Sequence, residues 1–69
     1  MTVIYDKQVN VLRILFTDAP IEESDEIDPG IILDYDEAGR IVGLEVLDAS
    51  RWVSNPSAVE YHEIDALAA

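Results

Sequence analysis

Asp28-Pro29-Gly30-Ile31-Ile32-Leu33-Asp34-Tyr35-Asp36-Glu37-Ala38-Gly39-Arg40-Ile41-Val42-Gly43-Leu44-Glu45-Val46-Leu47 is the stretch on which the fold turns. Two apolar runs, residues 31–36 and 40–47, flank Glu37-Ala38-Gly39, a short loop with Gly where a left-handed residue is wanted. The spacing predicts a β-hairpin. With Asp36 facing Arg40, Ile32 falls opposite Leu44 and Tyr35 opposite Ile41. One face then carries Ile32, Val42, Leu44 and Val46, the other Ile31, Leu33, Tyr35, Ile41 and Leu47. A sheet with one solvated face alternates cleanly, and this one does not. The leftover apolar face predicts a curled sheet or a homodimer made sheet to sheet. Upstream, Asp28-Pro29-Gly30 is a turn signal. A type II turn splays paired strands, so a corner is expected there rather than a tight hairpin.

Toward the N-terminus, Thr2-Val3-Ile4-Tyr5-Asp6 reads as a first strand and Lys7-Gln8 as a connector. Residues 9–16 read as a second strand, with Leu12, Ile14 and Phe16 on one face and Val11, Arg13 and Leu15 on the other. Asp18-Ala19-Pro20 ends it. Residues 21–28 have only Ile21 and Ile27 as apolar members, which suits an edge strand or exposed arm. Toward the C-terminus, Asp48 is placed to N-cap a short helix through Ala49, Ser50, Arg51, Trp52 and Val53, stopped by Asn55-Pro56. Trp52 is expected to pin that helix to the sheet. Beyond it the pattern is ambiguous. Val59, Tyr61 and Glu63 fit a strand, while Tyr61, Ile64 and Leu67/Ala68 fit a helix begun at Pro56, and the last few residues are expected to fray. The expected fold class is α+β, a single domain over residues 1–69 with an antiparallel sheet of four to five strands and one short helix.

Composition narrows the function. The 69 residues hold 4 Lys+Arg against 15 Asp+Glu, a formal net charge of −11. Binding phosphates needs clustered Lys/Arg, and Lys7, Arg13, Arg40 and Arg51 are scattered singly, so nucleic acid is not an expected partner. No apolar run approaches the roughly 18–20 residues that span a bilayer. No secretory or lipidation signal is visible, and with no Cys the expected compartment is the cytoplasm.

Three pieces together carry a resemblance. Tyr5-Asp6 closes the first strand, Asp28-Pro29-Gly30-Ile31-Ile32-Leu33-Asp34-Tyr35-Asp36 follows an acidic middle, and Gly39-Arg40-Ile41-Val42-Gly43-Leu44-Glu45-Val46-Leu47-Asp48-Ala49-Ser50 joins strand to helix. Residues 11–16 and 56–63 match in type and order. The chain resembles the domain of unknown function 2283 family of small acidic bacterial proteins over nearly its whole length. The resemblance implies a small α+β domain, favours a strand at residues 59–63, and implies no established activity and no functional residues to carry over.

Several constellations invite a chemical reading. Asp34, Asp36, Gly39, Ile41 and Glu45 stand at EF-hand spacing, but Ala38 replaces one oxygen ligand and the flanks are strand-like where helices are needed. A hairpin turn explains the same residues, so no metal is expected. Ser50 and Ser54 lack a nucleophile-elbow context, His62 is a lone histidine, and a chain this short leaves little room for a catalytic cleft. No cofactor fingerprint is present. The acidic run remains: Asp18, Glu22, Glu23, Asp25, Glu26 and Asp28, with no Lys or Arg between Ile14 and Gly39. It reads as a docking surface for a small basic protein or as a solvated edge that resists aggregation. The expected function is a non-enzymatic, antitoxin-like protein-binding module, expected also to form a homodimer. The alternatives are a homodimeric ligand-binding protein or small enzyme with an interfacial site near His62, and a DNA-mimicking acidic protein.

Overall fold

β-branched and aromatic residues at period two set the strands, and turn residues separate them. The computed structural model describes residues 1–65. Strands β1 (Thr2–Asp6), β2 (Val11–Leu15), β3 (Glu23–Asp28), β4 (Ile31–Tyr35) and β5 (Ile41–Leu47) form one antiparallel sheet in the order β1-β2-β5-β4-β3. Helix among the described residues is limited to one 3-10 turn, Ala49–Arg51. The five strands fulfil the sheet half of the α+β expectation, and the helical half shrinks to that turn.

The central hairpin forms, with a shift. Glu37-Ala38-Gly39 closes it: the Gly39 N–H donates to the Asp36 carbonyl at 3.0 Å, and Gly39 takes φ 80°. Tyr35 faces Ile41, as the spacing predicts. A bulge at Val42 then pairs Asp34 with Gly43, so Leu33, not Ile32, faces Leu44, and Ile32 faces Glu45. Because side chains alternate with period two, one extra residue exchanges the faces beyond it. Ile31, Leu33, Leu44 and Val46 gather on one side, and Ile32, Asp34, Gly43, Glu45 and Leu47 on the other. The two-sided apolar hairpin is therefore corrected to one mainly apolar face and one mixed face.

The apolar side is the covered face. Leu12, Val46 and Ala49 are buried there, packed by Val3, Tyr5, Ile31, Leu44 and Val53. Ala49 and Val53 belong to the segment that folds back over the sheet. Trp52 does not pin that segment, being 56 % exposed with its indole beside Gly30. On the opposite, open face Ile4, Val11, Leu15, Ile32 and Leu47 surround Arg13 and Glu45, and no strand or helix among the described residues lies across it.

Three further expectations are corrected. Pro29-Gly30 makes a tight two-residue turn joining β3 to β4, with Gly30 at φ 81°. The splay of such a turn is met by a bulge at Ile27, since Glu26 pairs with Ile32 and Asp28 with Ile31. Asp48 does not cap the turn after it: its backbone is left-handed, φ 52°, and its side chain makes no cap hydrogen bond. N-capping needs an extended backbone at that position. Residues 57–65 form neither strand nor helix. The expected fraying falls on residues 66–69, outside the described residues.

Candidate functional site

β3 is the outermost strand beyond β4, and every residue of it is exposed. Its outer side pairs with no strand. Ser24 and Glu26 point to the open face with Asp34 and Ile32, while Glu23 and Asp25 point to the covered-face side with Tyr35 and Leu33. Glu22 joins the row at its start, where its N–H donates to the Tyr35 carbonyl at 2.8 Å. Asp28 ends it beyond the bulge. Five of the six acidic residues singled out by the sequence thus lie along one edge. Asp18 stands apart in the connection from β2, lining a shallow depression with Thr17, Ala19, Asp36, Arg40, Ile41 and Val42.

Neighbouring carboxylates on one side of a strand sit about 7 Å apart, which in water is a repulsion of about 0.6 kcal/mol per pair. No cation among the described residues pairs with them. Arg13 pairs with Glu45 (3.7 Å), Arg40 with Asp36 (3.2 Å) and Arg51 with Asp48 (3.7 Å). Among the described residues, none of Asp18, Glu22, Glu23, Asp25, Glu26 and Asp28 makes an ion pair. The strip is an unneutralised edge.

The other chemistry-bearing residues go elsewhere. Asp36 serves the hairpin turn: its Oδ1 accepts the Ala38 and Arg40 N–H groups, both at 2.9 Å, and its Oδ2 meets Arg40 Nε at 3.2 Å. The hydrogen bond from the Arg40 backbone, with the Arg40 charge and the Ala38 N–H, holds its pKa below the ordinary value. Asp34 lies within β4 and Glu45 within β5, so the EF-hand spacing is a hairpin, as the strand-like flanks predict. Among the described residues no group of three or more His, Cys, Asp or Glu side chains comes together as a metal centre. His62 is 77 % exposed beside Glu60, on a tail whose Pro56, Ser57 and Val59 lie near Val3, Tyr5 and Lys7. The depressions on this surface are shallow; one of 370 Å³ lies between residues 19–22 and the β4–β5 turn.

Two polar clusters escape sequence reasoning. Asn10 accepts the Tyr5 hydroxyl (2.6 Å) and the Ser50 N–H (3.2 Å) on its Oδ1, and its Nδ2 donates to Asp48 Oδ1 (3.1 Å) and Ser50 Oγ (2.9 Å). On the open face, Ser24 Oγ donates to Asp34 Oδ1 at 2.6 Å, and Asp34 is fully buried. Ser24 and Asp34 are cross-strand partners, a relation visible only once β3 is registered on β4.

A family model described as a protein of unknown function (DUF2283) matches residues 2–50, which hold all five strands and the start of the 3-10 turn. No curated protein and no solved structure matches the chain. No helix among the described residues is long and apolar enough to cross a membrane.

Proposed function

Since the chain belongs to the DUF2283 family of proteins of unknown function, its role has to come from the sheet itself, and we propose a non-enzymatic protein-binding module whose acidic β3 edge receives a basic, extended segment of a partner. The observation that carries this is the state of β3: outermost, exposed at every residue, and rich in carboxylates that no cation among the described residues pairs with. A strand edge offers main-chain donors and acceptors to an added strand, and the carboxylates select for Lys and Arg on it. The same charges discourage pairing between copies of this edge. The partner best suited is a small basic protein, masked as an antitoxin masks its toxin.

The test is capture from the protein's own cells at low salt, with elution at high salt. Wild type is compared with Glu23→Lys/Asp25→Lys/Glu26→Lys. The expected result is a stoichiometric small basic protein, released by salt and absent from the charge-reversed bait. A companion retained equally by both baits, or none with either, overturns the proposal.

The open face favours a second, compatible reading. Ile4 is 41 % exposed there, and Val11, Leu15, Ile32 and Leu47 are only half-buried. A homodimer about a two-fold axis would cover this patch with itself. Sedimentation equilibrium is expected to give a dimer that Ile32→Glu converts to monomer. A monomer at all concentrations up to about 100 μM, near 5.5 kcal/mol of association, would remove the dimer.

A further inference from the structure

Asp34 places a carboxyl group inside the sheet. Its Oδ1 is satisfied by Ser24 of β3, but its Oδ2 is buried and has no hydrogen-bond partner. Gly43, opposite it on β5, makes the room: a Cβ there would stand 3.2 Å from Oδ2 and 3.1 Å from the Ile14 carbonyl. A buried carboxylate oxygen facing no donor is costly, and something must supply one. Arg13 opposes Glu45 rather than Asp34, with its Nε 3.7 Å from Glu45 Oε1, beyond hydrogen-bond length. The carboxyl group that the register sets beside it is Glu45, two residues beyond Gly43 on the same face and so the diagonal neighbour of Asp34, and the two groups interact.

We infer that, while it is protonated, the Glu45 carboxyl donates to Asp34, so that the line Ser24–Asp34–Glu45 ties β3, β4 and β5 together as a proton-operated latch on the acidic edge. The proton stays on the Glu45 carboxyl and is shared with Asp34 by a hydrogen bond, so no other donor is needed. Burial pushes the Glu45 pKa up, and the hydrogen bond with Asp34 and its charge push the same way, while Arg13 opposes them. The charged groups facing Glu45 are Arg13 from β2, Asp34 from β4 and, farther out, Glu26 from β3; from β1 the face adds Ile4 in line with Arg13 and, at the strand's end, Asp6. A folded pKa raised above the unfolded one stabilises the fold below the unfolded value, and that stability is lost as pH rises through the folded one. Rising pH therefore loosens the latch, and the strand it releases first is β3, which pairs only with β4.

Two measurements on the intact chain decide it. The side-chain carboxyl carbon of Glu45, followed by NMR, is expected to titrate above its ordinary value of 4.5. Between that value and the observed midpoint, the protection of β3–β4 amides against exchange, corrected for intrinsic base catalysis, is expected to fall about tenfold per pH unit. In Glu45→Gln, whose amide donates to Asp34 at every pH, that fall is expected to vanish. A Glu45 midpoint at or below the ordinary value, or an equal fall in the glutamine variant, overturns the inference. Should Glu45→Gln not fold, the wild-type titration alone decides. Neither measurement involves a partner, so failure here leaves the docking proposal standing.

Discussion

Asn10 and Asp48 meet where the β1–β2 turn abuts the 3-10 turn, and both hold left-handed backbones, φ 57° and 52°. Asn is among the few residues that adopt this region at low cost, and its amide satisfies groups from three places: Tyr5, Asp48 and Ser50. Its carbonyl also accepts the Ala49 N–H at 2.9 Å. Asn10→Ala is expected to cost about 2 kcal/mol in urea unfolding, from lost hydrogen bonds plus backbone strain. Asp48→Gly is expected to stay within about 0.5 kcal/mol of wild type, because the glycine relieves the φ that the aspartate strains. The sequence shows Asp48 beside the helix start, and local spacing makes it the natural cap; the group that binds the turn's Ser50 N–H lies in the β1–β2 connection, beyond the reach of any local pattern.

At the scale of the elements, two glycines test how the central hairpin is made. Gly39 has nothing within 4 Å of where a Cβ would sit, yet its φ is 80°. Gly39→Ala is expected to destabilise by about 1 kcal/mol through backbone conformation alone. Gly43 is crowded by a backbone carbonyl and a buried carboxylate, and Gly43→Ala is expected to cost about 1–3 kcal/mol through overpacking against Asp34 and Ile14. Calorimetric melts of the two variants separate the mechanisms, since only Gly43→Ala should also alter the exchange of β3–β4 amides. An unperturbed β3 in Gly43→Ala would contradict the packing described around Asp34. The hairpin, its loop and the edge position of β3 are legible from Glu37-Ala38-Gly39 and from the poverty of apolar residues in 21–28. The bulges at Ile27 and Val42 are not, because a bulge adds one residue without changing local composition. Missing the second one misassigns every side chain beyond it, and so hides the pairing of Asp34 with Gly43.

For the whole molecule, surface and charge dominate. The accessible area is 5450 Å², against roughly 4,300 Å² expected for a folded monomer of its 7.7 kDa mass. Leu12, Val42, Val46 and Ala49, with Pro56, are the buried apolar side chains among the described residues. The small core and the acidic surface are the features on which the proposed docking of a basic segment on β3 rests. The most direct measurement is an NMR titration of the protein with a synthetic extended peptide of alternating Lys and Val. Amide shifts confined to residues 22–28 and β4, with new exchange protection on the outer side of β3 and loss of both in Glu23→Lys/Asp25→Lys/Glu26→Lys, are the expected result. Shifts spread evenly over the surface, or equal effects at the β1 edge, would contradict a docking role for the acidic strand.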